Sequence, residues 1–179
     1  MKNFLFLLVL IPCAIFAQSA TEYGSFKIQN TEVIYQRVFV QDSITNERLA
    51  KFLKTLPGSS NVEVVGDAVQ ADLTDFVVDY KKFQFSQVAV PTLIQTGKYS
   101  GKVKLEGKAG KYRVTIKSMQ VKGDAGYKKI TAPDSFTNYA AVNSGTFLNK
   151  DWLKPNTLGL LDKALTDYFT FKEVDSADW

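Results

Sequence analysis

Ten lysines and arginines crowd between Lys98 and Lys129, against two acids, Glu106 and Asp124. That local excess of +8 sits in a chain of 179 residues with 22 basic and 18 acidic side chains in all. The stretch alternates. Lys98, Lys102, Lys104 and Glu106 share one parity, and Tyr99, Val103 and Leu105 share the other. After Gly107-Lys108-Ala109-Gly110 the pattern resumes, with Lys111, Arg113, Thr115 and Lys117 opposing Tyr112, Val114 and Ile116. Alternate side chains of a strand share a face, so this is a hairpin with one buried and one wet side. Cations gathered on one face make a positive field that attracts anionic surfaces. Lys102, Lys104, Lys111, Arg113 and Lys117 are therefore the candidate anion-binding face, for lipopolysaccharide phosphates, anionic lipid headgroups or acidic glycans. The competing reading is a solvated face whose lysines deter edge-to-edge sheet association. Arg113 is the lone arginine of the ten, which argues against bidentate phosphate recognition.

Other chemistries fall away by residue type. The chain has no His, and its single Cys is Cys13, near the N-terminus. Cys13 falls within an expected removable leader, so in the mature chain thiol and imidazole nucleophiles, Ser-His-Asp triads, His-ligated haem and the usual zinc sites would have no residues to use. Asp72, Asp75 and Asp79 recur at the spacing of one helix face, but the surrounding alternation reads as strand and should send them different ways. Ser118 and Lys117 should likewise face opposite sides and form no dyad. Neither a calcium loop, a phosphate-binding Gly-x4-Gly-Lys-Ser/Thr loop nor a Gly-x-Gly-x-x-Gly turn is present. No catalytic, metal or cofactor-binding residue is assigned, no cofactor is expected, and the chain reads as non-enzymatic. A hydrolase using only carboxylates would need two acids facing one cleft.

The elements that position these residues follow from period. Residues 31–40 read as an interior strand, with Val33, Tyr35, Arg37 and Phe39 on one face and Ile34, Val38 and Val40 on the other. Ser43 is the expected N-cap of a helix whose Leu49, Phe52, Leu53 and Leu56 follow i, i+3, i+4, i+7 spacing, stopped by Pro57-Gly58. Strands are expected at 61–65 and 68–80, and the hairpin arms at 98–106 and 111–121. Residues 18–29 read as a polar lead-in, 81–96 carry no clear period, and 123–154 read as a long irregular connection. Phe136, Tyr139, Phe147 and Trp152 in that connection are expected to anchor it to the core. A second helix is expected over 156–169, with Leu158, Leu161, Leu165, Tyr168 and Phe169 inward. One α+β domain over 18–179 results, an antiparallel twisted sheet with two helices packed on one face.

The strand Glu32-Val33-Ile34-Tyr35, the helix around Glu47 to Leu53 and the hairpin Gly97-Lys98-Tyr99-Ser100-Gly101 through Gly110-Lys111-Tyr112-Arg113-Val114 resemble a family of uncharacterised exported bacterial proteins with a TBP-like fold. The leader ending Phe16-Ala17-Gln18 belongs to the same resemblance. It implies the order β-α-β-β-β-β-α and carries no activity. It does not imply nucleic-acid binding either. Minor-groove readers insert apolar wedges from their open sheet face, whereas this face is charged.

Met1-Lys2-Asn3, the apolar run Phe4 to Ile11 and Phe16-Ala17-Gln18 read as a signal peptide over 1–17, cleaved after Ala17. The expected location is the periplasm, or secretion, in a Gram-negative bacterium. No transmembrane segment is expected in the mature chain. The expected role is an exported binding or assembly module, with an envelope protein or an anionic envelope surface as partner.

Overall fold

The computed structural model of the chain describes residues 20–171. The expected leader over 1–17 with Cys13, and the acidic tail over 172–179, lie outside the described residues. The strands are β1 (Glu22–Tyr23), β2 (Phe26–Gln29), β3 (Glu32–Val40), β4 (Ser59–Val65), β5 (Ala68–Val77), β6 (Lys98–Lys108), β7 (Lys111–Asp124), β8 (Lys129–Ser135), β9 (Ala141–Val142) and β10 (Phe147–Leu148). The helices are α1 (Asn46–Thr55), α2 (Thr92–Thr96), α3 (Thr137–Ala140) and α4 (Leu158–Phe169). The long elements β3-α1-β4-β5-β6-β7-α4 keep the expected order. The fold is α+β.

Eight strands form one antiparallel sheet in the order β1-β2-β3-β7-β6-β5-β4, with β8 also paired to β7. The long strand β7 is its spine. One edge of β7 runs along β6; the other is shared, with β3 against Lys111 to Ile116 and β8 against Gln120 to Asp124. The division falls at Ser118, which sits at φ +51° in a bulge opposite Gly101. A Cβ at Gly101 would come within 2.8 Å of Ile116 Cγ2, so that position needs glycine. Further bulges fall at Asn61 in β4 and Asp75 in β5, both at φ +51°. Each extra residue bends its strand and re-aims the side chains beyond it. The bulge in β5 corrects one expectation: Asp72 and Asp75 point to the same face, where Asp72 meets Lys102 and Asp75 meets Lys98 and Lys122.

The two long helices cover one face only. Thr45, not Ser43, caps α1: its hydroxyl accepts the Arg48 N–H at 3.2 Å, while Ser43 lies at φ +55°. Leu49 and Leu53 of α1 are fully buried, and Phe52 meets Tyr112 edge-on at 6.5 Å. From α4, Leu158, Leu160, Leu161, Leu165 and Phe169 are buried. Three sheet tyrosines turn into this layer, and each finds a hydrogen-bond partner there, as a buried phenol must. Tyr99 donates to the Leu93 carbonyl of α2 and Tyr112 to the Phe169 carbonyl, and Tyr35 shares a bond of 3.3 Å with the Thr166 hydroxyl. Burial pushes all three phenols above their ordinary range, Tyr35 to about 12. Arg37, the one cation on this side of β3, lies 3.5 Å from Asp162 of α4, tying helix to sheet at the rim of the core.

β3 is interior, as its composition implies, yet its second face is not buried throughout. Ile34 is, but Val38 is 54% and Val40 86% exposed. The expected lead-in is the paired strands β1 and β2. The long connection contains β8, α3 and the ribbon β9–β10. Pro133 is tolerated in β8 because that strand is an edge. Phe136 anchors the segment. It is fully buried, 5.8 Å from the Tyr99 ring, 5.3 Å from Trp152 and 6.1 Å from Phe26. Phe136→Ala should cost about 3–5 kcal/mol, the range for emptying a buried aromatic site. Urea unfolding measures it, and a loss under about 1 kcal/mol would show that the segment is not tied to the core.

Candidate functional site

The face of the sheet opposite the long helices can be written as rows across the strands. At the tip of the β6–β7 hairpin, Val40, Lys111 and Lys108 stand side by side. The next row is Val38, Arg113, Glu106, Ala68 and Val65, and the one after it Gln36, Thr115, Lys104, Gln70 and Glu63. Then come Lys117, Lys102, Asp72 and Ser60. Lys102, Lys104, Lys111, Arg113 and Lys117 thus share this face, and all five are exposed.

Their electrostatics are not those of a bare cationic surface. Lys102 lies 2.6 Å from Asp72 and Lys104 lies 3.0 Å from Glu106. Arg113 donates through Nε and Nη2 to one oxygen of the same Glu106, at 3.0 and 2.7 Å. Lys98 and Lys122, directly opposite each other, share Asp75 at 3.7 and 3.0 Å. Hydrogen bonds from Lys102 and then Asn61 hold the Asp72 carboxyl below its usual range. Bonds from Lys104 and then Arg113 do the same for Glu106, and a bond from Lys122 does so for Asp75. Among the described residues, Lys111 and Lys117 have no carboxylate within 4 Å. Beneath the polar layer, Gln36 bridges Lys27 at 2.6 Å and the buried Thr115 at 3.1 Å.

Two clefts lie near chemistry-bearing side chains. The larger, of about 590 Å³, opens on the helix side between α1, α4 and residues 79–83. Phe52, Leu56, Phe76, Phe83 and Tyr168 line it, and Asp79 and Asp167 both border it. That pairing satisfies the geometric condition for carboxylate-only hydrolysis. The two acids are otherwise engaged: Asp167 is 2.6 Å from Lys82 Nζ, and exposed Asp79 accepts the Lys82 backbone N–H. The smaller cleft, of about 400 Å³, lies at the hairpin tip among Val38, Glu106, Gly107, Lys108, Lys111, Tyr112 and Arg113. Among the described residues, no three His, Cys, Asp or Glu side chains gather as a metal site, and no helix is long and apolar enough to cross a membrane.

No family model matches the chain, and no curated protein matches it. Two solved structures are similar to it. A DUF4468 family protein from Bacteroides ovatus is 12% identical, with a TM-score of 0.40, over 81% of this chain and 82% of that one. A TBP-like protein from Parabacteroides distasonis is 13% identical, with a TM-score of 0.46, over 79% of this chain and 93% of that one.

Lys108 and the acids of β5 are what a reading of the hairpin alone misses. The sequence spacing places Lys108 in the turn, but it pairs with Lys111 in the ladder, leaving Ala109 and Gly110 as the two-residue turn. The acids were visible as residues, but their partners depend on register across β5 and β6.

Because the folded-state carboxyls of Asp72, Asp75 and Glu106 are depressed, their contribution is complete above the unfolded range of about 4 and is lost as pH falls through the lower folded values. Glu106→Gln should therefore lower stability by under about 1 kcal/mol at pH 7, as expected for a partly exposed network. The difference from the parent should shrink to nothing in strong acid. Thermal melts at pH 7 and in acid check this, and a gap that persists below the folded titration would contradict the pairing.

Proposed function

We propose that the chain is a non-enzymatic binding or assembly module that acts outside the cytosol through the uncovered face of its sheet. One observation carries the reading. The covered face is filled by α1, α2 and α4, whereas the opposite face holds its charged and polar side chains in ordered rows with no helix of the described residues packed over them. Fixed charges of both signs on a rigid sheet suit recognition by electrostatic complementarity, which sets register and rejects mismatched partners. The engagement of Asp79 and Asp167 with Lys82 supports a non-enzymatic role. The leader over 1–17 supports export.

A second reading is an anionic envelope component held by Lys102, Lys104, Lys111, Arg113 and Lys117. Lys111 and Lys117, exposed and with no carboxylate of the described residues within 4 Å, favour it. The carboxylates on the other three oppose it.

Photo-crosslinking in the native envelope tests the first reading. A crosslinker at Gln70 or Lys104, on the uncovered face, should give discrete adducts, and one at Lys51, on the exposed side of α1, should not. Adducts from Lys51 alone, or from neither face, would overturn it. For the second reading, retention on a polyanion resin is compared with that of a variant carrying Glu at all five positions; equal retention would discard it.

A further inference from the structure

The hairpin tip combines three features found together nowhere else on the described sheet face. Lys108 and Lys111 are directly opposed across β6 and β7. Like charges in that relation destabilise a strand pair unless something neutralises them. The other opposed pairs are relieved: Lys102 and Lys117 by Asp72, which holds Lys102, and Lys98 and Lys122 by Asp75. Among the described residues, Lys108 and Lys111 have no carboxylate within 4 Å. Of the acids at this end, Glu106 serves Lys104 and Arg113, and the Asp42 carboxylate, beside Gly110 at the turn, forms no ion pair with either lysine.

The second feature is apolar. Val40, beside Lys111, is 86% exposed, Val38, beside Arg113, is 54% exposed, and Val65 ends the same row at 46%. Isolated exposed valines need no explanation, but these flank a cationic cluster on one side of one sheet. The third feature is the cleft of about 400 Å³ that opens between Val38 and the side chains of Lys108, Lys111 and Arg113.

Unpaired lysines bordered by aliphatic side chains match a surface that offers anionic headgroups above hydrocarbon. A soluble polyanion would use the lysines and leave the valines in water. We propose that the hairpin tip docks the chain on an anionic phospholipid bilayer. Lys108 and Lys111 meet the headgroup phosphates, and Val38 and Val40 enter the interface beside them. Basic residues near an anionic surface and partly inserted apolar side chains supply additive, salt-sensitive binding of this kind. This deepens the reading of the uncovered face as the binding face, and it assigns the contact to the tip, not to the five residues that charge counting selects.

The test uses the chain lacking residues 1–17, so that the apolar leader cannot itself bind lipid. Cosedimentation is measured with vesicles of phosphatidylcholine mixed with phosphatidylglycerol and with pure phosphatidylcholine vesicles, at low and physiological salt. Binding only to the mixed vesicles is expected, weakening as salt rises. The double variant Lys108→Glu, Lys111→Glu should bind at least about tenfold more weakly. Lys102→Glu with Lys117→Glu, at the far end of the hairpin, should have a smaller effect. Val40→Asn should weaken vesicle binding while leaving retention on a polyanion resin unchanged. Circular dichroism confirms that each variant is folded. Absence of vesicle binding, an equal loss from both double variants, or competition by inorganic phosphate with no effect of Val40→Asn would each overturn the proposal. None of these results bears on crosslinks from Gln70 or Lys104, so the wider reading of the face fails or survives separately.

Discussion

A sheet with helices on one side only must hold its other side against water with its own side chains. Here that constraint governs the rest. On the covered side, alternate residues of β3, β5, β6 and β7 are apolar and pack against α1, α2 and α4. Their neighbours in sequence point the other way, where no helix of the described residues packs and most side chains meet water. The resulting face is stabilised by pairing across strands. Asp72, Asp75 and Glu106 each stand between or beside cations, and hydrogen bonds from those cations depress all three carboxyls. Individually such pairs contribute little, but a ladder fixed on a rigid backbone defines a charge pattern with a definite register.

The pattern depends on β7. Its length lets it serve β6 along one edge and both β3 and β8 along the other, and the bulge at Ser118 separates the two partners. The bulge at Asp75 has an electrostatic consequence. By adding one residue it brings the Asp75 carboxylate to the face that carries Lys98 and Lys122, where an unbroken strand would have turned it into the core. Backbone irregularity and surface charge are therefore one design. Towards the hairpin tip the bulges end, and Lys108 faces Lys111 with no carboxylate of the described residues within 4 Å of either.

How far this was legible in the sequence differs by element. The period of two through Lys98–Glu106 and Lys111–Ile116 gave the hairpin and its two faces, and the helical spacing of Leu49, Phe52, Leu53 and Leu56 gave α1. These are local signals. The partners of the lysines were not legible, because Asp72 reaches Lys102 only through the register of β5 on β6, and register is a property of pairs of strands. The bulges were hidden for the same reason: Asn61, Asp75 and Ser118 look like ordinary strand residues. The Ser43 cap was displaced by Thr45 because Ser43 adopts a left-handed turn. β1, β9 and β10 were too short to show a period, and Pro133 disguised β8. The aromatic residues in that region gave the usable hint, since Phe136 had no reason to be there without a core to enter.

Among the described residues, the helices cover one face of the sheet and leave the other open. Cysteine scanning measures this most directly, because Cys13, the only cysteine of the chain, is absent once residues 1–17 are removed. Single cysteines are placed in turn at Lys102, Val103, Lys104 and Leu105, and their rates of maleimide labelling are compared under native conditions. Rapid labelling at Lys102→Cys and Lys104→Cys is expected, with Val103→Cys and Leu105→Cys protected until the protein is unfolded by denaturant. Equal native rates at all four positions would contradict a sheet covered on one side.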